Sequence, residues 1–248
     1  TKPLTKTPMR SILTPILLLC TCLAVGQSFE GTLMYVTDVE VAEKMQKMGM
    51  TKEALVERMK QDGSYSDTIT VSYKHGNYHT LLNTLPASWN IYTAETNKIH
   101  AMQAGEAADV CAVTDASIDT EGAMLGKMPT VTKLDTIVMI DGAACNMVRV
   151  KWKSGTYDYY YDPTKLPVDA ALFAKHVYDG WADFLKISNA LPVRIMKTTK
   201  GMMTVTMTLV SAKKQPIADG LFAIPTLVAA DDLDIVKLPN KKMMRIAR

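Results

Sequence analysis

Four histidines, three closely set aspartates and four cysteines are the side chains of this 248-residue sequence that could do chemistry if gathered into one site. His75 and His79 flank a turn signal at Gly76-Asn77, while His100 and His176 stand far from them and from each other. No Cys-x-x-Cys or His-Glu-x-x-His spacing accompanies any of them, and a zinc centre needs three or four such donors, so the expectation is surface histidines and no metal. Asp231, Asp232 and Asp234 lack the glycine and the distal glutamate of a calcium loop and read as a solvated turn. There is no Gly-x-Ser-x-Gly elbow, no phosphate loop and no dinucleotide fingerprint. The sequence therefore leads us to expect no catalytic residues, no cofactor and no enzyme.

The cysteines divide by position. Cys20 and Cys22 fall in an N-terminal stretch with the anatomy of an export signal: Met9-Arg10, then the apolar run through Leu17, Leu18 and Leu19, then a small-residue exit. Ala24 and Gly26 occupy the minus-three and minus-one places for cleavage before Gln27, with Met9 as the natural start and residues 1–8 an upstream extension. The apolar part is far short of the roughly 20 residues that cross a bilayer. Residues 1–26 are thus expected to be a secretory signal, the mature chain to lack a transmembrane helix, and its home to be the periplasm or cell envelope. Lipidation at Cys20 is the weaker alternative, because a leucine rather than a small residue precedes it. Cleavage would leave Cys111 and Cys145, which either form a disulfide in that oxidising compartment or stay as two buried thiols. It also removes Lys2, Lys6 and Arg10, leaving 25 basic against 25 acidic residues and no electrostatic footprint for nucleic acid.

Hydrophobic period sets the elements that would position any site. A first strand near residues 29–37 gives way to helical spacing at Val41, Met45, Met48, Leu55, Val56 and Met59, divided at Gly49 and restarted by Thr51 as an N-cap. From Tyr65 to Lys74 alternation is strict, with Ile69, Val71 and Tyr73 sharing one face. Further strands are expected at residues 78–84, 89–93, 98–103 and 109–115. A long loop covers 117–129. Strands return at 136–140, 144–152 and 157–161, with Asp141-Gly142 and Ser154-Gly155 as turn signals. Helical spacing over residues 163–189 places Leu172, Phe173, Val177, Trp181, Phe184 and Leu185 on one stripe, interrupted at Gly180. Strands at 192–198 and from Met203 through Leu209 follow, then a short one at 231–238 and a frayed basic tail at 241–248. Sequential hairpins of this kind give one large, curved antiparallel sheet over residues 27–240, an α+β fold that is mainly β.

The order of the pieces resembles the LolA-like superfamily of exported β proteins, the lipoprotein carriers and their uncharacterised Gram-negative relatives. The resemblance rests on Gly76-Asn77-Tyr78, Trp89-Asn90-Ile91-Tyr92, Lys98-Ile99-His100-Ala101-Met102, the Ile140-Asp141-Gly142-Ala143-Ala144-Cys145 hairpin, Tyr159-Tyr160-Tyr161-Asp162-Pro163, Leu191-Pro192-Val193-Arg194-Ile195 and Leu221-Phe222-Ala223-Ile224-Pro225. Ala143 stands where the hairpin of such relatives usually carries an aromatic. What the resemblance implies is a strongly curved, incomplete barrel with helices over an apolar concave face.

In carrier members that hollow receives lipid or lipoprotein acyl chains, a task that needs no acid, base or metal. Seventeen methionines, flexible and polarizable, suit such a surface and equally suit ordinary core packing. The lining expected on that basis is Ile69, Val71, Tyr73, Trp89, Ile91, Met203, Val205, Met207 and Leu209, with Leu172, Phe173, Trp181 and Phe184 as a lid. The alternative is an envelope module that docks a protein partner and whose sheet face is simply packed.

Overall fold

The computed structural model describes residues 28–105, 110–226, 236–238 and 241–247. The expected export signal and the Asp231, Asp232 and Asp234 turn lie outside these residues.

Strand β1 (Gly31–Val41) is followed by helices α1 (Glu43–Lys47) and α2 (Lys52–Gln61). A first meander runs through β2 (Thr68–Lys74), β3 (Asn77–Leu82), β4 (Ser88–Thr93), β5 (Lys98–Gln103) and β6 (Val110–Asp115). After α3 (Thr120–Leu125) a second meander runs through β7 (Thr130–Ile140), β8 (Ala143–Lys151), β9 (Gly155–Tyr161), β10 (Arg194–Thr199) and β11 (Met203–Lys214), with α4 (Trp181–Ser188) inserted before β10. Two short strands close the chain, β12 (Val236–Leu238) and β13 (Lys241–Ala247).

All described strands join one antiparallel sheet in the order β12-β13-β6-β5-β4-β3-β2-β1-β11-β10-β9-β8-β7, open at both ends. The first strand is therefore the seam between the two meanders, bonded to β2 on one side and β11 on the other. Its alternation suits that place: Leu33, Tyr35, Val39 and Val41 are buried, while Met34 and Val36 between them are exposed.

Local signals explain most element ends. Thr51 caps α2 by accepting from the Ala54 amide at 3.2 Å, as its position before a helical run implies. The β2–β3 turn places His75 and Gly76 at positive φ, 48° and 80°, the geometry that a two-residue hairpin demands.

Three expectations are corrected. The loop expected over 117–129 contains α3, because the Asp119 carboxylate accepts from Gly122 at 2.6 Å and left-handed Gly126 ends the turn. The stretch 163–189 is α-helical only over α4. Before it come two 3₁₀ turns, Ala170–Phe173 and Tyr178–Gly180, with Asp179 and Gly180 in left-handed conformation (φ 59° and 68°) where a continuous helix would need right-handed residues. The tail expected to fray instead pairs its backbone with β6, Met244 opposite Val113 and Ile246 opposite Cys111. Of the two states left open for the cysteines the structure has the free thiols, with no disulfide joining Cys111 to Cys145. The two buried thiols sit in separate hydrophobic clusters, and each is directed to a nearby carbonyl, Ala112 and Ala143 respectively.

The larger cluster packs one face of the sheet, with Leu33, Val148, Tyr159 and Leu191, against Phe173, Phe184 and Leu185 of the inserted segment. Each fully buried side chain of this size contributes roughly 1.5–3 kcal/mol by leaving water. The smaller cluster lies on the opposite face, where Ile91, Met102 and Cys111 are covered by Ile217 and Phe222 from the strap that follows β11. Lys74 ties that strap down. Its ammonium donates to the Ile217 carbonyl at 2.7 Å and pairs with Asp219 at 2.8 Å, while the Ile217 amide donates to Glu30 at 2.8 Å.

Candidate functional site

Residues from β1, β2, β3, β4, β5, β6, β9, β10 and β11 line a single hollow of about 360 Å³. Nine neighbouring strands laid flat would span about 40 Å. Their meeting around so small a volume means that the sheet curls tightly, without closing into a barrel. The inserted segment fills the mouth of the curl. Ala116, at the end of the first meander, accepts hydrogen bonds from the amides of Val177 (2.7 Å) and Tyr178 (3.0 Å). Asp119 accepts from the Trp152 indole at 3.0 Å, linking α3 to the β8–β9 hairpin across the opening.

The wall is part aliphatic and part aromatic. Ile69, Val71, Ile99, Ile195 and Met207 supply the apolar surface, and Tyr35, Tyr73, Tyr78, Tyr159 and Tyr178 face them with Trp181. Burial holds the Tyr35, Tyr78 and Tyr159 hydroxyls well above the ordinary tyrosine range, so they stay protonated donors at any working pH. Tyr35 donates to the Pro192 carbonyl at 2.7 Å, and Tyr159 to the Asp179 carbonyl at 2.8 Å. His176 is 3 % exposed and shares a 2.9 Å hydrogen bond through Nε2 with the Tyr78 hydroxyl. Its ring lies 4.5 Å from that of Tyr92, and burial pushes its pKa down to about 4, so the imidazole is neutral. Nδ1 of His176 and Nε1 of Trp181 have no hydrogen-bond partner among the described residues, each at a cost of roughly 1–3 kcal/mol.

One ion pair crosses the hollow. Lys197 Nζ lies 3.1 Å from Asp179 Oδ2 and 4.5 Å from the centre of the Tyr157 ring. Burial pulls the ammonium's pKa down, but Asp179 and Tyr157 outweigh it and hold the group above its usual value, fully charged. Asp179 and Tyr178 also line a wider cleft of about 750 Å³ with Glu121, Met124, Leu125, Trp152 and Tyr157, so the pair sits where the two spaces adjoin.

Of the lining expected from sequence, the hollow brings together Ile69, Val71, Tyr73 and Met207. Trp89 and Ile91 are on the other face. Register pairs Thr80 with Asn90 and Asn90 with Ala101, so Asn90 faces inward and its neighbours pack under the strap. Met203 and Val205 share the face of Met207 but lie beyond the hollow, opposite Val41 and Val39, near the start of α1. Leu209 lies at the other end, beside Val193 and Cys145 around a void of about 20 Å³. Phe173, Trp181 and Phe184 of the expected lid are buried in the main cluster, and Leu172 packs against its edge; Trp181 alone of the four reaches the hollow.

The histidines expected at the surface include two that are buried, His100 and His176, because β5 alternation turns His100 under the strap and the insertion turns His176 inward. Sequence gave no sign of His176, which sits in a stretch read as helix. Lys197 could have been found from the alternation of Ile195 and Lys197, had Met196 not made the other phase equally apolar. Among the described residues no group of three His, Cys, Asp or Glu could hold a metal ion, and no helix is long and apolar enough to cross a membrane.

No family model and no curated protein matches this chain. The solved structure of PNGF-II is similar to it over 77% of this chain at 10% sequence identity, with a TM-score of 0.41. This chain spans 29% of the length of that one, and a likeness so slight carries no argument about activity.

Proposed function

We propose that this chain is an exported, non-catalytic binding protein that holds a single apolar chain, such as one lipid acyl chain, in the hollow inside its curved sheet. The observation that carries the reading is the hollow itself, about 360 Å³ and walled by Ile69, Val71, Ile99, Ile195 and Met207. That volume falls at the lower end of small-ligand pockets, roughly 300–1,000 Å³, which suits one tail and not a paired-tail lipid. Each buried methylene contributes about 0.8 kcal/mol, so eight to ten of them supply roughly 6–8 kcal/mol before association costs, and micromolar is the ceiling of the affinity they can give. The Met9–Gly26 signal pattern and the resemblance to LolA-like carriers agree with an envelope role. The aliphatic hydroxyls on the wall, Thr80 and Thr114, have no hydrogen-bonded histidine, which favours holding over acyl transfer.

Two measurements test this together. Organic extraction of the purified protein followed by mass spectrometry should return a single-chain lipid, and an environment-sensitive fluorescent alkyl probe should be taken up stoichiometrically. Ala101→Leu, which adds bulk to the wall, should abolish uptake without lowering Tm. An empty extract together with a probe that stays dark would remove the carrier reading.

A second reading, docking of a protein partner, is favoured by the outermost strand β7, whose Ile137 and Met139 are 69% and 62% exposed. Crosslinking that yields one stoichiometric partner would support it.

A further inference from the structure

We infer that the hollow selects an amphiphile with an anionic head, a carboxylate or a phosphate monoester, and that Lys197 is the residue that receives it. The inference rests on the carrier reading above and adds the ligand's polar end.

Lys197 is an anomaly on its own face. On β10 it follows Ile195 by two residues, and it stands opposite Val205 on β11 and Tyr157 on β9, so its neighbours across and along the sheet are largely apolar or aromatic. An ammonium in such surroundings needs a counter-charge. The one it has, Asp179, comes not from the sheet but from the inserted segment, at a backbone position (φ 59°) that L-residues seldom adopt. The contact is single, one Nζ to one Oδ2 at 3.1 Å, and both side chains keep about a third of their surface exposed, 33% and 29%. That is an exchangeable ion pair and not a sealed one.

Its position gives the exchange a geometry. Lys197 and Asp179 both line the hollow, and Asp179 also lines the adjoining cleft, whose wall carries Lys153 and Lys200 together with Asp119 and Glu121. A tail laid along Ile69, Val71 and Met207 brings its head to Lys197 at the junction. The head takes the ammonium, and the Asp179 carboxylate turns toward the open cleft, where solvent takes up its charge. No covalent bond forms or breaks. A neutral head gains nothing from Lys197 and leaves the existing pair in place. An anion therefore binds better than its ester by the difference between its own contact with Lys197 and the 3.1 Å pair with Asp179 that it displaces, roughly tenfold.

The test compares four probes of equal chain length on the full chain: a fatty acid, its methyl ester, a monoalkyl phosphate and an alkyl trimethylammonium. The acid and the phosphate should bind roughly tenfold more tightly than the ester, with the ammonium weakest. In Lys197→Met the acid should fall to the level of the ester, and Lys197→Arg should restore the preference. Tighter acid than phosphate assigns a free fatty acid, and the reverse order a lysophospholipid-type head. Equal binding of acid and ester to the unaltered protein overturns the anion site while leaving carriage standing. A preference that survives in Lys197→Met overturns the assignment to Lys197. Failure of all four probes removes carriage and this inference with it. The comparison among probes on the unaltered protein needs no variant to fold.

Discussion

The Tyr78 hydroxyl and Nε2 of His176 lie 2.9 Å apart, joining β3 of the first meander to the segment inserted into the second. The contact is the polar centre of a ring cluster in which Tyr78 stacks on Tyr92 at 4.9 Å and Tyr92 stacks on Phe173 at 6.1 Å. Tyr78→Phe removes the partner of a buried imidazole nitrogen and should cost roughly 1–3 kcal/mol in a denaturant titration.

The same histidine makes stability depend on pH. Its folded pKa, about 4, lies below the 6.5 of an exposed imidazole, so the unfolded chain binds the proton first as pH falls. Stability is complete above about pH 6.5, declines between 6.5 and 4, and levels off below. At about 1.4 kcal/mol per pH unit the loss is on the order of 3 kcal/mol. His79 and His100, also pushed down by burial, add in the same direction. The carboxylates held low by hydrogen bonds, Asp38 by Lys52 and Asp67 by Asn83, lose their contribution only below about pH 3.8. His176→Phe should therefore flatten the pH 4–6.5 limb of the Tm profile and spare the acid limb. An unchanged slope would contradict the burial of His176.

Gly180 meets two demands at once. Its φ is 68°, and a β-carbon there would lie 2.7 Å from Val150 Cγ1, on a strand of the main core. Gly180→Ala should destabilise by about 1–3 kcal/mol or more through strain and overpacking. Gly220→Ala, with nothing within 4 Å of the added carbon, is the control and should leave the unfolding midpoint within about 0.5 kcal/mol of the parent.

Thiol chemistry tests the state of the two cysteines. Cys111 and Cys145 are 0% and 1% exposed, so in a form beginning at Gln27 an aromatic disulfide reagent should react with neither in native buffer and with two thiols in denaturant. A denatured count of zero without reductant would show a bridge.

Tryptophan emission reports on the hollow selectively. Trp181 lines it, whereas Trp89 is on the opposite face and Trp152 lines the neighbouring cleft. Binding of an alkyl ligand should alter emission in Trp89→Phe and Trp152→Phe as in the parent, and should be silent in Trp181→Phe.

Strand existence was legible because alternation and turn dipeptides are local. The Tyr65 to Lys74 run placed Ile69, Val71 and Tyr73 on the face that proves to line the hollow. Trp89 and Ile91 show where that reasoning stops. In β4 it is the polar phase, with Asn90, that faces the hollow, and the strap that carries Ile217 and Phe222 over Trp89 and Ile91 could not be foreseen from β4 itself. The helix expected over 163–189 failed for a related reason. Its apolar stripe was real, since Phe173, Trp181, Phe184 and Leu185 are all buried, but the turns at Asp179 and Gly180 deliver them by a bent path. Lys197, Asp179 and His176 meet only through long-range packing, which no local spacing records.

The seam position of β1 also governs the order of assembly. Its register with β11 pairs Gly31 with Lys214 and Val41 with Met203, partners separated by some of the longest loops that the chain can close. Such pairings are slow, because closure entropy is lost before any contact repays it. Among the described strands β1 is made before β11 and keeps one edge bare until β11 has emerged, and a holding chaperone has most to protect in that interval.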